Sequence, residues 1–213
     1  MLPFTSAQFF GIFAAYNGAI WPAQVIAYGL GLLAIACLVR PGLVADRIIS
    51  GVLALMWTWT GIAYQGYFFS AINRTAFLFA ALFVAQGIIL FVSGVIQGGL
   101  RFGYARELRP SIGVALIFYA AVLYPLVGMA LGHSYLELPH FGVTPCPVAL
   151  FSFGWLLLLK SPVKWWVAAI PVAWSLIGGT AAFLLEVPQD CLLAGGPATI
   201  VLLAKGRPSL VHW

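Results

Sequence analysis

The stretch HSYLELPHFGVTPCP, from His133 to Pro147, separates two long apolar regions of the chain. It contains two of the three histidines, one of the five acidic residues and one of the three cysteines. The whole chain is 63% hydrophobic and only 7% charged, whereas soluble domains contain about 25% charged residues. An apolar excess of this size must face lipid, so the sequence predicts a single integral membrane domain over residues 1–213.

Seven apolar segments surround this stretch. Their length, and the lack of alternation with a period of two, predict membrane-spanning helices rather than barrel strands, and therefore an all-α transmembrane bundle. The spans are predicted at Asn17–Val39, Ile48–Phe69, Thr75–Gln97, Ser111–Leu131, Val143–Leu159, Val163–Leu185 and Asp190–Ala204. Residues 3–13 are aromatic and too short to span; they predict either a short interfacial helix capped by Thr5 or Ser6, or a lead-in to the first span.

Basic residues fall in alternate loops of this arrangement. Nine of the ten lie on one side of the predicted membrane, with Arg74 as the exception: Arg40, Arg47, Arg101, Arg106, Arg109, Lys160, Lys164, Lys205 and Arg207. Because cytoplasmic loops are enriched in Lys and Arg, the amino terminus is predicted outside and the carboxyl terminus inside. The same placement accounts for the net charge of +5 without a nucleic-acid partner. No removable signal peptide is predicted, because residues 1–39 contain no Lys or Arg.

The seventh segment is shorter than the others. Its roughly 15 residues would form about 22 Å of helix, against about 30 Å of hydrocarbon. The sequence Gly195-Gly196-Pro197 would also kink or break it. The alternative is a re-entrant segment that leaves six spans, but that would place Lys205 and Arg207 outside, against the charge pattern.

The predicted topology gathers candidate ligands on the outer side. They are His133, Glu137, His140, Cys146, Glu186, Asp190 and Cys191. The first three are spaced so that a helix would place them on one face, where imidazole and carboxylate groups would bind Zn²⁺, Cu²⁺ or Fe²⁺. The alternative is a solvated loop, since Pro139 disfavours a continuous helix.

Cys146 lies between Pro145 and Pro147 at the start of the fifth segment. Two prolines remove amide donors, so carbonyl groups around a broken helix would face a cavity, and a thiolate there would favour Cu(I) or Zn. The alternative is a helix that starts at proline, with Cys146 as a small buried filler. A disulfide between Cys146 and Cys191 is a further hypothesis, because both lie on the side that would face an oxidising periplasm.

Glu186 and Asp190 lie close in sequence to the predicted break at Gly195, Gly196 and Pro197. Carboxylates beside a broken helix are typical of the sites where transporters coordinate ions, although the two acids would serve equally well as helix caps. No ionisable residue lies deep in a predicted span, so a proton relay is not expected. No phosphate-binding loop, nucleophile elbow or zinc-protease motif occurs, so the sequence predicts no enzyme activity.

Several short stretches resemble a known family. These are Leu2-Pro3-Phe4-Thr5, Phe13-Ala14-Ala15-Tyr16-Asn17, Trp21-Pro22 and Phe141-Gly142-Val143-Thr144-Pro145-Cys146-Pro147. They are similar to DUF6064, a bacterial family of multi-pass membrane proteins that carries the label of a domain of unknown function. The resemblance covers nearly the whole chain. It implies a bacterial inner membrane and supplies no activity.

These observations lead to one expected function and two alternatives. We expect the protein to bind or transport a small solute or metal ion through an outer-facing site, with Zn or Cu as the candidate metals. The first alternative is a non-catalytic accessory subunit of a larger membrane complex, supported by many glycine and aromatic packing positions. A membrane redox enzyme or metalloenzyme ranks last, because too few ligands can be placed. The expected partners are the lipid bilayer and either further copies of the chain or a larger complex.

Overall fold

The computed structural model describes residues 3–160, 164–185, 187–196 and 198. Within these ranges the chain is helical, without β-strands apart from one isolated bridge between Phe102 and Leu159. The α-helices are α1 (Ser6–Ala19), α2 (Ala23–Cys37), α3 (Leu43–Ala71), α4 (Ala76–Ile96), α5 (Leu108–Ala130), α6 (Pro145–Leu157) and α7 (Trp165–Leu185). Two separate 3₁₀ helices cover Tyr135–Glu137 and Pro188–Gly195, and a 3₁₀ turn over Phe69–Ala71 ends α3.

Four of the described helices, α3, α4, α5 and α7, are long and apolar enough to cross a membrane. The pair α1 and α2 would supply a fifth span, although the two helices meet at an angle of 84°. Their apolar side chains point outward in large numbers, as lipid-facing surfaces do. The prediction of an all-α protein with several candidate spans is therefore confirmed.

The first predicted span is not one continuous helix. α1 begins after Thr5, whose side-chain oxygen accepts the Gln8 amide at 3.2 Å while the Gln8 side chain accepts the Thr5 amide at 2.9 Å. This capping box matches the short-helix alternative for the amino-terminal residues. The chain then bends before α2 at Pro22, which has no amide hydrogen with which to continue a helix. The prediction of an uninterrupted span over Asn17–Val39 is corrected accordingly.

Three of the long helices contain a π-helical segment. The segments are Thr60–Phe68 in α3, Phe91–Ile96 in α4 and Tyr119–Leu123 in α5. An extra residue per turn changes the directions in which side chains leave the helix, and such segments occur often at functional sites. In α3 the segment carries Tyr64 and Gln65, both of which are buried.

α6 lies in the centre of the protein rather than against lipid. From Val148 to Leu159 every residue is buried, and α3, α5 and α7 surround the helix. Gly113 and Gly154 allow α5 and α6 to touch, because a Cβ on either glycine would lie 2.7 Å from the carbonyl oxygen of the other. An apolar run alone could not distinguish this buried helix from a lipid-facing one.

The end of the bundle at which α3 begins is called the Asp46 end. Asp46 is 2% exposed and accepts two bonds, from the Phe102 amide at 2.9 Å and from Arg101 Nε at 2.7 Å. Arg109 also donates to the carbonyl groups of Leu157 and Leu159 at the end of α6. The Gly103 amide donates to Leu158 O at 3.0 Å, so the loop before α5 and the first turn of α5 are both tied to the carboxyl end of α6.

The opposite end of the bundle is called the Asp190 end. The 3₁₀ helix Pro188–Gly195 doubles back along α7 there: Leu193 and Ala194 lie beside Gly178 and Gly179, whereas Gly196 lies beside Ser175. A Cβ on Gly196 would come within 2.1 Å of Ser175 Oγ, so this approach needs glycine. The predicted seventh span begins in this segment, and Pro197 and residues 199–204 fall outside the described residues.

Candidate functional site

The described residues enclose a cavity of about 510 Å³ at the Asp190 end. Its walls come from the amino-terminal part of α1, the carboxyl-terminal half of α3, the start of α4, the start of α6, the carboxyl-terminal half of α7 and the turn before Asp190. Leu176, Ile177 and Leu184 line it and are exposed on α7. The cavity therefore opens sideways, beside the apolar outer face of α7.

Aromatic rings form much of the wall. Phe9, Phe13, Tyr64 and Phe69 are linked by ring contacts, with centroids 5.0 Å apart for Phe9 and Phe13, 5.1 Å for Phe13 and Tyr64, and 5.7 Å for Tyr64 and Phe69. On the α7 side Trp174 also lines the cavity, edge-on to a phenylalanine of α4. Such a wall provides both apolar surface and negatively polarised ring faces.

Asp190 is the acidic residue in this wall. It is 3% exposed, and Tyr124 donates its hydroxyl hydrogen to Asp190 Oδ1 at 2.5 Å. Cys146 lines the same cavity as the carboxyl group. The one ion pair found among the described residues joins Arg101 to Asp46, at the other end of the bundle. The hydrogen-bond partner of the Asp190 carboxyl group in the described structure is therefore an uncharged donor.

The local sequence explains why Asp190 points inward. Pro188 starts the 3₁₀ helix, the Asp190 amide donates to Val187 O at 3.0 Å, and Val187 and Leu193 are buried on either side. Tyr119 of α5 holds the same turn by donating to Gln189 O at 2.8 Å. Neighbouring residues of a tight helix leave in different directions, so Cys191 is exposed while Asp190 is buried.

Gln65 is an unusual polar residue in the wall. It is fully buried and lines the cavity, and neither its side-chain nitrogen nor its side-chain oxygen has a hydrogen-bond partner among the described residues. Leaving a buried polar group without a partner costs about 1–3 kcal/mol. A donor and an acceptor are therefore presented together at a mostly apolar cavity.

α1 and the loop between α5 and α6 cover this end. Asn17 Nδ2 donates to Leu136 O at 2.7 Å and to Leu138 O at 2.9 Å, while the Tyr16 hydroxyl donates to Val143 O at 2.7 Å. These bonds hold α1, which supplies two phenylalanines of the wall, against the 131–144 loop. We call α1 and this loop the cover.

The three residues of the predicted metal cluster belong to the cover, but they do not converge. His133 stacks on Phe10 at 4.3 Å, and Glu137 is exposed and accepts from Ser134, which lowers the pKa of its carboxyl group. His140 is buried, which lowers its pKa, and its Nε2 donates to the Tyr135 carbonyl at 3.0 Å. The helix needed to align them is reduced to one 3₁₀ turn, and no group of three His, Cys, Asp or Glu side chains able to share a metal occurs in the described chain.

The remaining residues that the sequence singled out belong to α6, to the second 3₁₀ helix or to the part of the chain outside the described residues. Pro145 starts α6, which continues unbroken through Pro147, so the proline-started helix is the alternative observed. Cys146 is half-buried and lines the cavity, and both it and Cys191 are free thiols, so the proposed disulfide is not formed. Gly195 and Gly196 lie at the end of the second 3₁₀ helix. Glu186 and Pro197 lie outside the described residues.

Sequence reasoning brought Cys146 and Asp190 to the same side of the protein but missed Gln65 and the aromatic wall. One signal for Gln65 was available: it is the only carboxamide in the 29 residues of α3. The contribution of α1 to the wall had no signal, because it depends on the bend between α1 and α2.

The described residues form an all-helical protein with four or five apolar helices of membrane-spanning length and a cavity whose wall contains Asp190 and Gln65. The family model for DUF6064, a family of unknown function, matches residues 6–209. The chain therefore belongs to that family. No curated protein and no solved structure matches the chain.

Proposed function

We propose that the protein is a multi-pass protein of the bacterial inner membrane that binds a small, largely apolar solute in the cavity at the Asp190 end. The observation that carries this proposal is the pairing of an aromatic wall with Gln65, whose buried side-chain amide has no hydrogen-bond partner in the part of the chain that the structure describes. Small-molecule sites typically combine a mostly apolar concave surface with a few convergent polar groups. An organic solute fits these walls better than a metal ion, which would need several ligands at one point.

The proposed arrangement has seven spans, an outer amino terminus and a cytoplasmic carboxyl terminus. Its support is the charge pattern, which would place the loop containing Arg101, Arg106 and Arg109 in the cytoplasm. The Asp46 end would then be cytoplasmic, and the cavity would open in the outer half of the membrane. A solute would enter sideways along α7 rather than from water.

The topology is tested with two single-cysteine variants, Arg74→Cys and Arg106→Cys, in a chain whose Cys37, Cys146 and Cys191 are replaced by serine. Both arginines are exposed and lie at opposite ends of the bundle. A membrane-impermeant maleimide added to intact spheroplasts should label only the Arg74→Cys variant. Labelling of the Arg106→Cys variant alone would reverse the proposed orientation.

Solute binding is tested with bromobenzene as a neutral apolar probe, because a bromine atom quenches tryptophan fluorescence on contact. Trp174 lines the cavity. The part of the quenching that is lost in the Trp174→Phe variant therefore reports binding in the cavity. We expect saturable quenching of Trp174 in the purified protein. Ala181→Phe, which fills the cavity, should abolish it.

The matched control is Ala173→Phe, an equal increase in volume at an exposed position of the same helix. It should leave the quenching unchanged. Quenching that rises linearly without saturation, and that is equal in both alanine variants, would mean partitioning into detergent. That result would overturn the proposal and favour the accessory-subunit alternative.

A further inference from the structure

The ligand class follows from the charge of the cavity. Asp190 is nearly fully buried and lines the wall, and Tyr124, which donates a hydrogen bond to its carboxyl group, carries no positive charge. A neutral donor stabilises an ionised carboxylate but does not neutralise it. A buried carboxylate without a cation is costly, and natural proteins pair such charges.

The wall offers favourable surroundings for a positive charge. Tyr64, Phe69 and Trp174 all line the same cavity as Asp190. Ring faces attract an ammonium group within about 6 Å of the ring centre, and tryptophan does so best. Aromatic walls around an acidic group are a recurrent solution for binding quaternary ammonium ions, because the ligand is too bulky and too weakly hydrated for an ordinary salt bridge.

Other ligand classes fit less well. An anion would be repelled by Asp190, and a bare metal ion would find too few ligands among the described residues. A neutral ligand would satisfy Gln65 but would leave the carboxylate uncompensated. A cation with an apolar body meets both demands, since the body occupies the lateral, apolar part of the cavity along α7.

We propose that the cavity binds a small lipophilic organic cation, such as a substituted ammonium ion, with Asp190 as its counter-ion and the aromatic wall as its lining. This inference rests on the proposed function, because it assigns a ligand class to the same cavity. The ligand would approach from the membrane beside α7, and Gln65 would bind a polar substituent on its body.

The test compares two probes of nearly equal shape, benzyltrimethylammonium and its neutral analogue neopentylbenzene, as competitors of bromobenzene. The readout is recovery of Trp174 fluorescence in the purified full-length protein. We expect the cation to displace bromobenzene at a concentration at least about tenfold lower than the neutral analogue. In Asp190→Asn this preference should disappear, while bromobenzene still binds.

Glu137→Gln is the control, because it removes an equal charge from an exposed carboxylate of the cover. It should keep the preference for the cation. If Asp190→Asn fails to fold, the wild-type preference is followed from pH 7.5 to about pH 4.5 instead. The titratable groups near Asp190 in the described part of the chain are Tyr119, Tyr124, Cys146 and Tyr64, and all of these stay neutral in that range. His140 of the cover titrates there, so the same profile is recorded in His140→Gln. Loss of the preference on acidification that persists in this variant reports protonation of the Asp190 carboxylate.

The outcomes separate the two proposals. Equal displacement by the cation and the neutral analogue in the wild type, with bromobenzene still bound, would overturn the cation inference and leave solute binding intact. Retention of the full preference for the cation in Asp190→Asn would likewise overturn the cation inference and leave solute binding intact. Absence of saturable bromobenzene quenching would overturn the proposed function, and the cation inference with it.

Discussion

Two buried aspartates at opposite ends of the bundle have very different surroundings. Asp46 accepts from the guanidinium group of Arg101 and from the Phe102 amide, and the loop around it is bonded to the end of α6. Asp190 accepts from the phenol of Tyr124 and lines a cavity. The first carboxylate is neutralised within the described structure, whereas the second is only hydrogen-bonded.

The same contrast extends to neighbouring groups. At the Asp46 end Arg109 donates to two carbonyl groups that end α6, and one buried polar atom there, Trp155 Nε1 beside Phe102, has no hydrogen-bond partner among the described residues. At the Asp190 end two whole side-chain amides, those of Gln65 and Gln189, are buried without a partner in the described part of the chain. Polar groups with complete partners indicate structural roles, whereas incompletely paired ones beside a cavity indicate a place for something else to bind.

The largest effect is expected for Asp46→Asn. The change removes the charge that pairs with Arg101 and turns one acceptor oxygen into a donor nitrogen beside buried backbone. Because Arg101 is half exposed, solvent screening limits the loss, and we expect the free energy of unfolding to fall by about 2 kcal/mol. Denaturant unfolding of the detergent-solubilised protein measures it. A change below about 0.5 kcal/mol would show that the pair does not anchor this end.

A much smaller effect on stability is expected for Asp190→Asn. The amide keeps the shape of the side chain and can still accept from Tyr124, while the uncompensated buried charge is removed. We expect the free energy of unfolding to change by less than about 1 kcal/mol, in either direction. Measured under the same conditions as Asp46→Asn, a loss as large as in that variant would make the two aspartates equivalent structural groups.

The smallest effect is a pH dependence contributed by His140. Burial lowers its pKa below the ordinary value of about 6.5, so the folded protein binds fewer protons than the unfolded chain. Its contribution to stability is therefore complete above about pH 6.5 and is lost as the pH falls below that value. We expect a decrease of less than about 1 kcal/mol between pH 7 and pH 5.5 that is reduced in His140→Gln.

His133→Gln is the matched control for this measurement, because His133 lies in the same loop and stacks on Phe10 instead. Its unfolding should follow the wild-type pH profile. If the pH dependence of the unfolding free energy is unchanged in His140→Gln, protonation of the buried imidazole does not contribute to it. The contrast between the two ends would then rest on the aspartates alone.

Parts of the site were predictable from the chain and parts were not. Cys146 and Asp190 were placed on one side by counting spans, and in the structure both line the same cavity. The alignment of His133, Glu137 and His140 was not realised, because Leu138 is fully buried against Asn17 and Gly128 and draws the chain out of a helical path. The prediction of a continuous first span was wrong because the chain bends at Pro22. The effect of that proline on backbone hydrogen bonding was visible in the sequence.

The sequence by itself determined the helical class, the apolar segments and the unequal distribution of basic residues. These properties depend on the composition of each segment and on backbone hydrogen bonding within it, which neighbouring residues decide. Only the tertiary structure decided that α6 is a buried central helix, that α1 folds over the Asp190 end, and that a carboxyl group meets Tyr124 across 66 residues of chain. Such contacts depend on the packing of several helices at once, and no local pattern encodes which polar groups will be left facing the cavity.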